Sequence, residues 1–204
     1  MEVFDVLIIG GGVSGVSCAQ VLGSAVKKPF VADKKVGIIM HQKASMLQDA
    51  IFYNAYGIKQ GTLGSDLLAQ SIEDLNYYDH LTQIFGVKVT SINRTNELYE
   101  VHTNKEIFTT RLVVVAVNSS PTFDIGGLLE FVEPHKKSLA SKNRIQLKNN
   151  DHLVVDGIYV VGTLAGHRSQ LAIAAGSGAA VATDILTLWN DGIETHSHDS
   201  TRVK

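Results

Sequence analysis

Gly10, Gly12 and Gly15 occupy the three places of a G-x-G-x-x-G turn, directly after the apolar run Val3 to Ile9 and at the start of a stretch with helical spacing, Ser14 to Ala25. Each glycine answers a different steric demand: a tight turn, close backbone approach to a pyrophosphate, and close packing of helix on sheet. The phosphates then sit on the helix N-terminus, at Val13 and Ser14, where free N–H groups and the helix dipole favour an anion. Asp33 follows Gly10 by about 23 residues, the spacing of a ribose-binding acid that accepts hydrogen bonds from the hydroxyls and repels a 2′-phosphate. Lys34, beside it, is carried as a further candidate, although two lysines after a strand (Lys34 and Lys35) are more often a solvated turn. The pattern predicts a dinucleotide site without choosing between FAD and NAD, since both present an ADP moiety to the same backbone.

The elements that must position this turn are a strand from Val3 to Ile9, a helix from Ser14 to Ala25 and a second strand from Pro29 to Asp33, forming a β-α-β unit. Ala44 to Ile51 reads as helical and Asn54-Ala55-Tyr56-Gly57 as a turn. From Ser65 to Phe85 the apolar positions Leu67, Leu68, Ile72, Leu75, Leu81, Ile84 and Phe85 keep three- and four-residue spacings, which predicts one amphipathic helix ended by Gly86. Val87 to Asn93, Tyr99 to Thr103 and Glu106 to Thr110 are short and rich in β-formers and predict an antiparallel meander. Leu112 to Val117 is the strongest buried-strand signal and returns to the parallel sheet. A second strand-turn-helix follows near the C-terminus, from Gly157 to Thr163 and then Gln170 to Leu186.

These elements predict an α/β fold: a Rossmann-like dinucleotide-binding domain with a parallel sheet and a small antiparallel β-meander. A single domain over residues 1–190 is expected, its halves of about 1–118 and 145–190 joined by an irregular excursion at 119–144, with 191–204 as a disordered tail. At 204 residues the chain is long enough to bury a core without disulfides or structural metals. The single cysteine, Cys18, excludes an internal disulfide and a C-x-x-C relay within the chain. A net charge of −2 gives no electrostatic reason to expect a nucleic-acid partner. The sequence shows no leader pattern and no apolar run of spanning length, so a cytoplasmic protein without membrane contact is the expectation.

The C-terminal segment decides between cofactors by resemblance. Ile158 to Gly162 and Gln170-Leu171-Ala172-Ile173-Ala174-Ala175-Gly176-Ser177-Gly178 resemble the closing FAD motif of the thioredoxin reductase branch of the FAD-dependent pyridine nucleotide-disulfide oxidoreductases. Asn54-Ala55-Tyr56-Gly57 is similar to the turn beside the flavin in that family, and Val87 to Ile92, with Val89, to the strand whose backbone meets adenine. The resemblance implies FAD as cofactor, with Gly10, Gly12, Gly15 and Asp33 at the ADP half. Asn54, Gly162, Thr163, Gln170, Leu171 and Ala172 would then lie near the ribityl chain and ring, and Tyr56 would be the aromatic best placed over it.

The sequence also departs from the family. Thr163 stands where an acid normally follows the closing glycine, Arg168 is separated from Gln170 by Ser169, and the usual alanine-threonine-glycine strand end is Ala116-Val117-Asn118. About 26 residues separate Asn118 from Ile145, fewer than the roughly 30 of one complete β-α-β unit, so the family's NADPH domain and its cysteine pair have no room there. The expectation is a flavoprotein with an external electron donor or reductase, acting on a small-molecule or protein substrate, with a homodimer as the candidate assembly. A non-catalytic flavin- or nucleotide-binding module and an NAD-dependent dehydrogenase stand as alternatives.

Catalytic residues are not legible in this sequence, and no metal site is expected. Cys18 reads as core packing, and His41 and His167 as loop histidines that would lie near the flavin or in solvent. Tyr53, Tyr77 and Tyr78 read as packing residues. His196, His198 and Asp199 match a metal cluster only by residue type.

Overall fold

The computed structural model describes residues 2–41 and 45–197. Chain order runs β1 (Val3–Ile9), α1 (Val13–Ser24), β2 (Val36–Ile39), β3 (Ile51–Phe52), β4 (Thr62–Leu63), α2 (Gly64–Leu75), β5 (Leu81–Ile84), β6 (Val89–Thr95), β7 (Leu98–Thr103) and β8 (Ile107–Val115). There follow β9 (Val132–Pro134), β10 (Ile145–Leu147), β11 (Leu153–Val155), β12 (Ile158–Val160) and α3 (Leu171–Trp189). The main sheet has the order β11-β12-β8-β1-β2-β5, and the pairs β5–β2, β2–β1, β1–β8 and β8–β12 are all parallel. This is the Rossmann-like sheet expected from the sequence.

β1 shows why the sheet is covered on both faces. Its alternate residues point to opposite sides: Val6 and Ile8 enter the cluster under α1 and α3, while Leu7 and Ile9 enter the cluster shared with the meander. Cys18 belongs to the helix-side cluster, where burial pushes its thiol well above the ordinary value, so it is packing material.

Several expected boundaries moved. Pro29 to Asp33 is not a strand: successive backbone turns, Lys28 N–H to Ala25 C=O and Val31 N–H to Lys28 C=O, both 2.9 Å, wind that segment off α1 and bury Val31 against the helices. The second strand is β2, registered Val6 to Val36 and Ile9 to Ile39. The predicted helix over Ser65–Phe85 ends at Leu75; Leu81–Ile84 forms β5, because pairing against β2 satisfies a backbone that a longer helix would leave beside the sheet edge. Ser45 to Ala50 is a series of turns leading into β3 rather than a helix, while Ala44 lies outside the described residues.

Glu106–Thr110 and Leu112–Val117 merge into the single strand β8, whose first half pairs antiparallel with β7 and whose second half pairs parallel with β12. The excursion at 119–144 contributes β9, which pairs antiparallel with β10 just beyond it, and lies along the meander through Ile92 N–H to Gly126 C=O at 2.9 Å. Residues 191–197 are mostly exposed but anchored at Thr195, which is buried: its N–H donates to Thr187 Oγ1 at 3.0 Å, and Asn190 Nδ2 donates to Thr195 Oγ1 at 2.8 Å. His198 and Asp199 lie outside the described residues, and among those described no group of three or more candidate ligands gathers to hold a metal.

α3, at 19 residues, is by length and composition apolar enough to cross a membrane, which corrects the sequence expectation that no run is. In this fold it serves as a core helix, with Val181, Ala182, Ile185 and Leu186 fully buried. It crosses α1 at backbone contact: a Cβ on Gly178 would stand 1.9 Å from Ser14 O. Gly178→Ala should therefore destabilise the protein by about 1 to 3 kcal/mol through overpacking. Gly176→Ala, whose new methyl would meet nothing within 4 Å, should be neutral or stabilise by up to about 1 kcal/mol through helix propensity. Urea unfolding of the two variants checks this, and equal effects would contradict the close crossing.

Candidate functional site

The carboxyl ends of β1, β2, β8 and β12 open onto one cavity of about 580 Å³. This is the expected place for a ligand in a parallel α/β sheet. Its floor is the glycine turn. Gly10 has φ +121°, and a Cβ there would meet Ala116 O at 2.6 Å; a Cβ on Gly15 would meet Gly10 O at 1.9 Å. Gly12 differs, since its Cβ would meet nothing nearer than Ser45 Oγ at 3.9 Å. Gly10 and Gly15 thus let the protein touch itself, while Gly12 faces open space that a ligand can occupy.

Two helix N-termini end on this cavity. α1 begins at Val13 behind Gly12 and α3 at Leu171 behind Gln170; no side chain caps either helix, and neither first turn carries an acid. Leading N–H groups without side-chain caps favour a phosphate or an electron-rich heterocycle edge. The two ends are tied together by Ser177, whose Oγ accepts from Gly162 N–H at 2.9 Å, and by Gly162, where a Cβ would stand 2.8 Å from Ser14 Oγ.

Of the residues singled out from the sequence, Gly10, Gly12, Val13, Ser14, Asn54, Val89, Gly162, Thr163, Gln170 and Leu171 line the cavity. Gly15 lies beneath it as packing. Ala172 does not line it, because the helical period presents Gln170, Leu171 and Ala174 to the cavity and leaves Ala172 exposed.

Asp33 and Lys34 are misplaced more seriously. They precede β2 and so lie at the amino edge of the parallel sheet, opposite the cavity. Asp33 is exposed there, and Lys34 Nζ pairs with Asp5 at 3.5 Å and lies over the Trp189 ring. The residue that follows β2 onto the cavity wall is His41. Tyr56 is fully exposed and lines nothing, and Tyr53 and Tyr77 also face solvent.

Sequence reasoning missed the segment Thr122 to Ile125, which brings Phe123 and Ile125 into the wall. The signal was Gly126-Gly127: a Cβ on Gly127 would stand 2.0 Å from Ile92 O, so this pair marks where the excursion lies down on the meander.

The loop from Thr163 to Gln170 sets the start of α3 and is propped from behind. Asn149 Nδ2 donates to Ala165 C=O at 3.3 Å. Behind it sit three histidines. His152 Nδ1–H donates to Val160 C=O at 2.8 Å, leaving its Nε2 lone pair 3.5 Å from His167 Nε2. His135 Nδ1 accepts from Lys137 N–H at 3.1 Å, so its Nε2–H faces His167 C=O at 3.3 Å. His167 therefore sits in this cluster rather than among the cavity-lining residues. Burial, and then the neighbouring His152, Lys137 and His135, hold its pKa below the ordinary value.

A family model described as pyridine nucleotide-disulphide oxidoreductase matches residues 4–166. The chain belongs to that family. Ferredoxin–NADP reductase 1 of Oceanobacillus iheyensis is 25% identical over 180 residues, covering 87% of this chain but 46% of the relative, so the chain spans about half of that protein's length. Among solved structures, a thioredoxin reductase from Gloeobacter violaceus superposes with a TM-score of 0.73 at 13% identity, over 99% of this chain and 100% of that one. A ferredoxin-flavin thioredoxin reductase from Clostridium acetobutylicum superposes with a TM-score of 0.69 at 15% identity, over 94% and 99% respectively. These likenesses show the fold; the family match shows a flavin-binding fold with FAD as cofactor. The open floor at Gly12 and the two helix starts without side-chain caps fit that cofactor.

The histidine cluster predicts a pH dependence. A folded-state pKa held below the ordinary 6.5 means that the unfolded chain binds the proton first, so stability present above pH 6.5 is lost as pH falls toward the lower folded value. His80, also held low by burial, acts in the same direction. Thermal melts across this window should show acid destabilisation, and His167→Asn should flatten the slope. An unchanged slope in that variant would show that His167 contributes nothing to it.

Proposed function

We propose that this chain is the flavin-binding part of an oxidoreductase whose electrons come from a separate donor, a reductase or a small redox protein. The observation that carries this reading is the composition of the site itself: one dinucleotide cavity among the described residues, and one cysteine that is fully buried in the core. Bound FAD supplies electron-transfer chemistry, and the protein supplies orientation, hydrogen bonds and exclusion of water. In this reading Gly10, Gly12, Val13 and Ser14 receive the pyrophosphate on the α1 N-terminus, and Val89 lies beside the adenine. Asn54, Gly162, Thr163, Gln170 and Leu171 surround the ribityl chain and ring.

Thr163 replaces a carboxylate with a hydroxyl, which still hydrogen-bonds the ribityl chain without charge assistance. His41 offers imidazole where an acid would meet the adenosine ribose. The ferredoxin in the names of two of the related proteins supports a small redox protein as the class of donor.

Two outcomes test this. Asp33→Ala should leave FAD affinity within about a factor of two, whereas Gly12→Val, filling the open floor, should weaken it at least about tenfold, some 1.4 kcal/mol. Flavin reduction by NADPH should be slow and should not saturate at micromolar cofactor, while dithionite or light reduces the same flavin readily. Tight, saturable reduction by NADPH would contradict an external donor.

A further inference from the structure

Beside the cavity lies a second, smaller pocket of about 230 Å³, which shares Met46, Asn118 and Ser120 with the first. It is formed where the chain leaves β8 and where the turn before β10 returns; Ile145 N–H donates to Ser119 C=O at 3.2 Å and holds the two segments together. Its other lining residues include Ser119, Lys142 and Arg144, and no carboxylate lines it among the described residues.

Three of the polar side chains there, those of Arg144, Lys142 and Ser119, are without a side-chain partner among the described residues. The Arg144 side chain is half-buried, and among the described residues neither it nor Lys142 has an ion-pair partner, unlike Lys88, which is closed by Asp124 at 2.6 Å. Ser119 is only 3% exposed, and its hydroxyl makes no hydrogen bond among the described residues. Asn118 Oδ1 accepts from Ser120 N–H at 2.9 Å and Ser120 Oγ contacts Thr122 Oγ1 at 2.8 Å, so the loop bearing the serines is internally fixed. A half-buried guanidinium, a second cation and a nearly buried hydroxyl around one concavity favour an oxyanion, since charge-assisted hydrogen bonds from arginine are strong and directional.

We infer that this pocket, at Arg144, Lys142 and Ser119, binds the phosphate group of a small-molecule substrate whose other end enters the flavin cavity. The two unpartnered cations match a dianionic phosphate better than a singly charged carboxylate. The substrate role rests on the flavoprotein reading; the anion site itself does not.

Titration of inorganic phosphate into the FAD-loaded protein, followed by calorimetry and by the flavin difference spectrum, tests this. Saturable binding is expected, stronger than that of acetate at equal ionic strength and weakened about tenfold or more in Arg144→Ala. Arg144→Lys, which keeps the charge and loses the fork, should fall between, and both variants should retain the parent's FAD content and melting temperature. No saturable phosphate binding in the parent, or equal binding in folded Arg144→Ala, would overturn the proposal. Phosphate binding that depends on Arg144, in a protein that takes up no FAD on reconstitution, would retain the anion site and reject the flavoprotein reading. Competition by micromolar NADP⁺ would assign the pocket to a nicotinamide donor and overturn the substrate role.

Discussion

Backbone contact between α1 and α3 is the constraint on which the site depends. Two helices can start on one cavity only if their first turns come very close, and side chains at the crossing would hold them apart. Gly178 against Ser14 O removes that obstacle, while Gly162 against Ser14 Oγ lets the chain leaving β12 come up to α1 and Gly15 against Gly10 O closes the glycine turn. Once the helices are in contact, the Gly162 N–H reaches Ser177 Oγ, and the end of β12 is fixed relative to α3. Both macrodipoles then bear on the same space, where a ligand with an anionic middle and an electron-rich ring can use both.

The segment between the two halves, which in the family gives rise to the nicotinamide domain, here serves the flavin domain itself. It lies along β6 through the backbone of Gly126 and Gly127 and returns as the β9–β10 ribbon. Gln146 on that ribbon accepts from Lys136 N–H at 3.0 Å and donates to Glu133 at 2.8 Å. The same segment carries His135 beneath the loop that starts α3, and Lys142 and Arg144 beside the cavity. A short excursion thus supports the cofactor loop and furnishes the charged wall next to it.

Much of the site was legible in the sequence because glycine is demanded by sterics that leave few alternatives. Gly10, Gly12 and Gly15 announced the turn, and the small-residue start of α3 announced the second helix. Asp33 misled because an apolar run, Phe30 to Ala32, precedes it at the expected spacing; a chain of turns, and not strand pairing, buries Val31 from that run and leaves Ala32 exposed. The true strand, β2, contains Gly37, whose missing side chain makes room for Leu7 and Phe4, a tertiary demand that no local pattern reveals. The α2–β5 boundary was hidden for a related reason: Leu81 and Ile84 keep helical spacing, and only the partner strand β2 decides that they are extended. The charged pocket was invisible from sequence because Ser119 and Arg144 meet only through the return of the excursion.

The central claim is that the paired helix starts hold one FAD per chain. Heat release of the cofactor from purified protein, with chromatographic identification and quantification against protein concentration, tests it most directly. The account predicts FAD at about one per chain, the stoichiometry of filling the cavity on which the two helices start. Release of NAD instead, or failure to retain any dinucleotide after reconstitution with FAD, would contradict it.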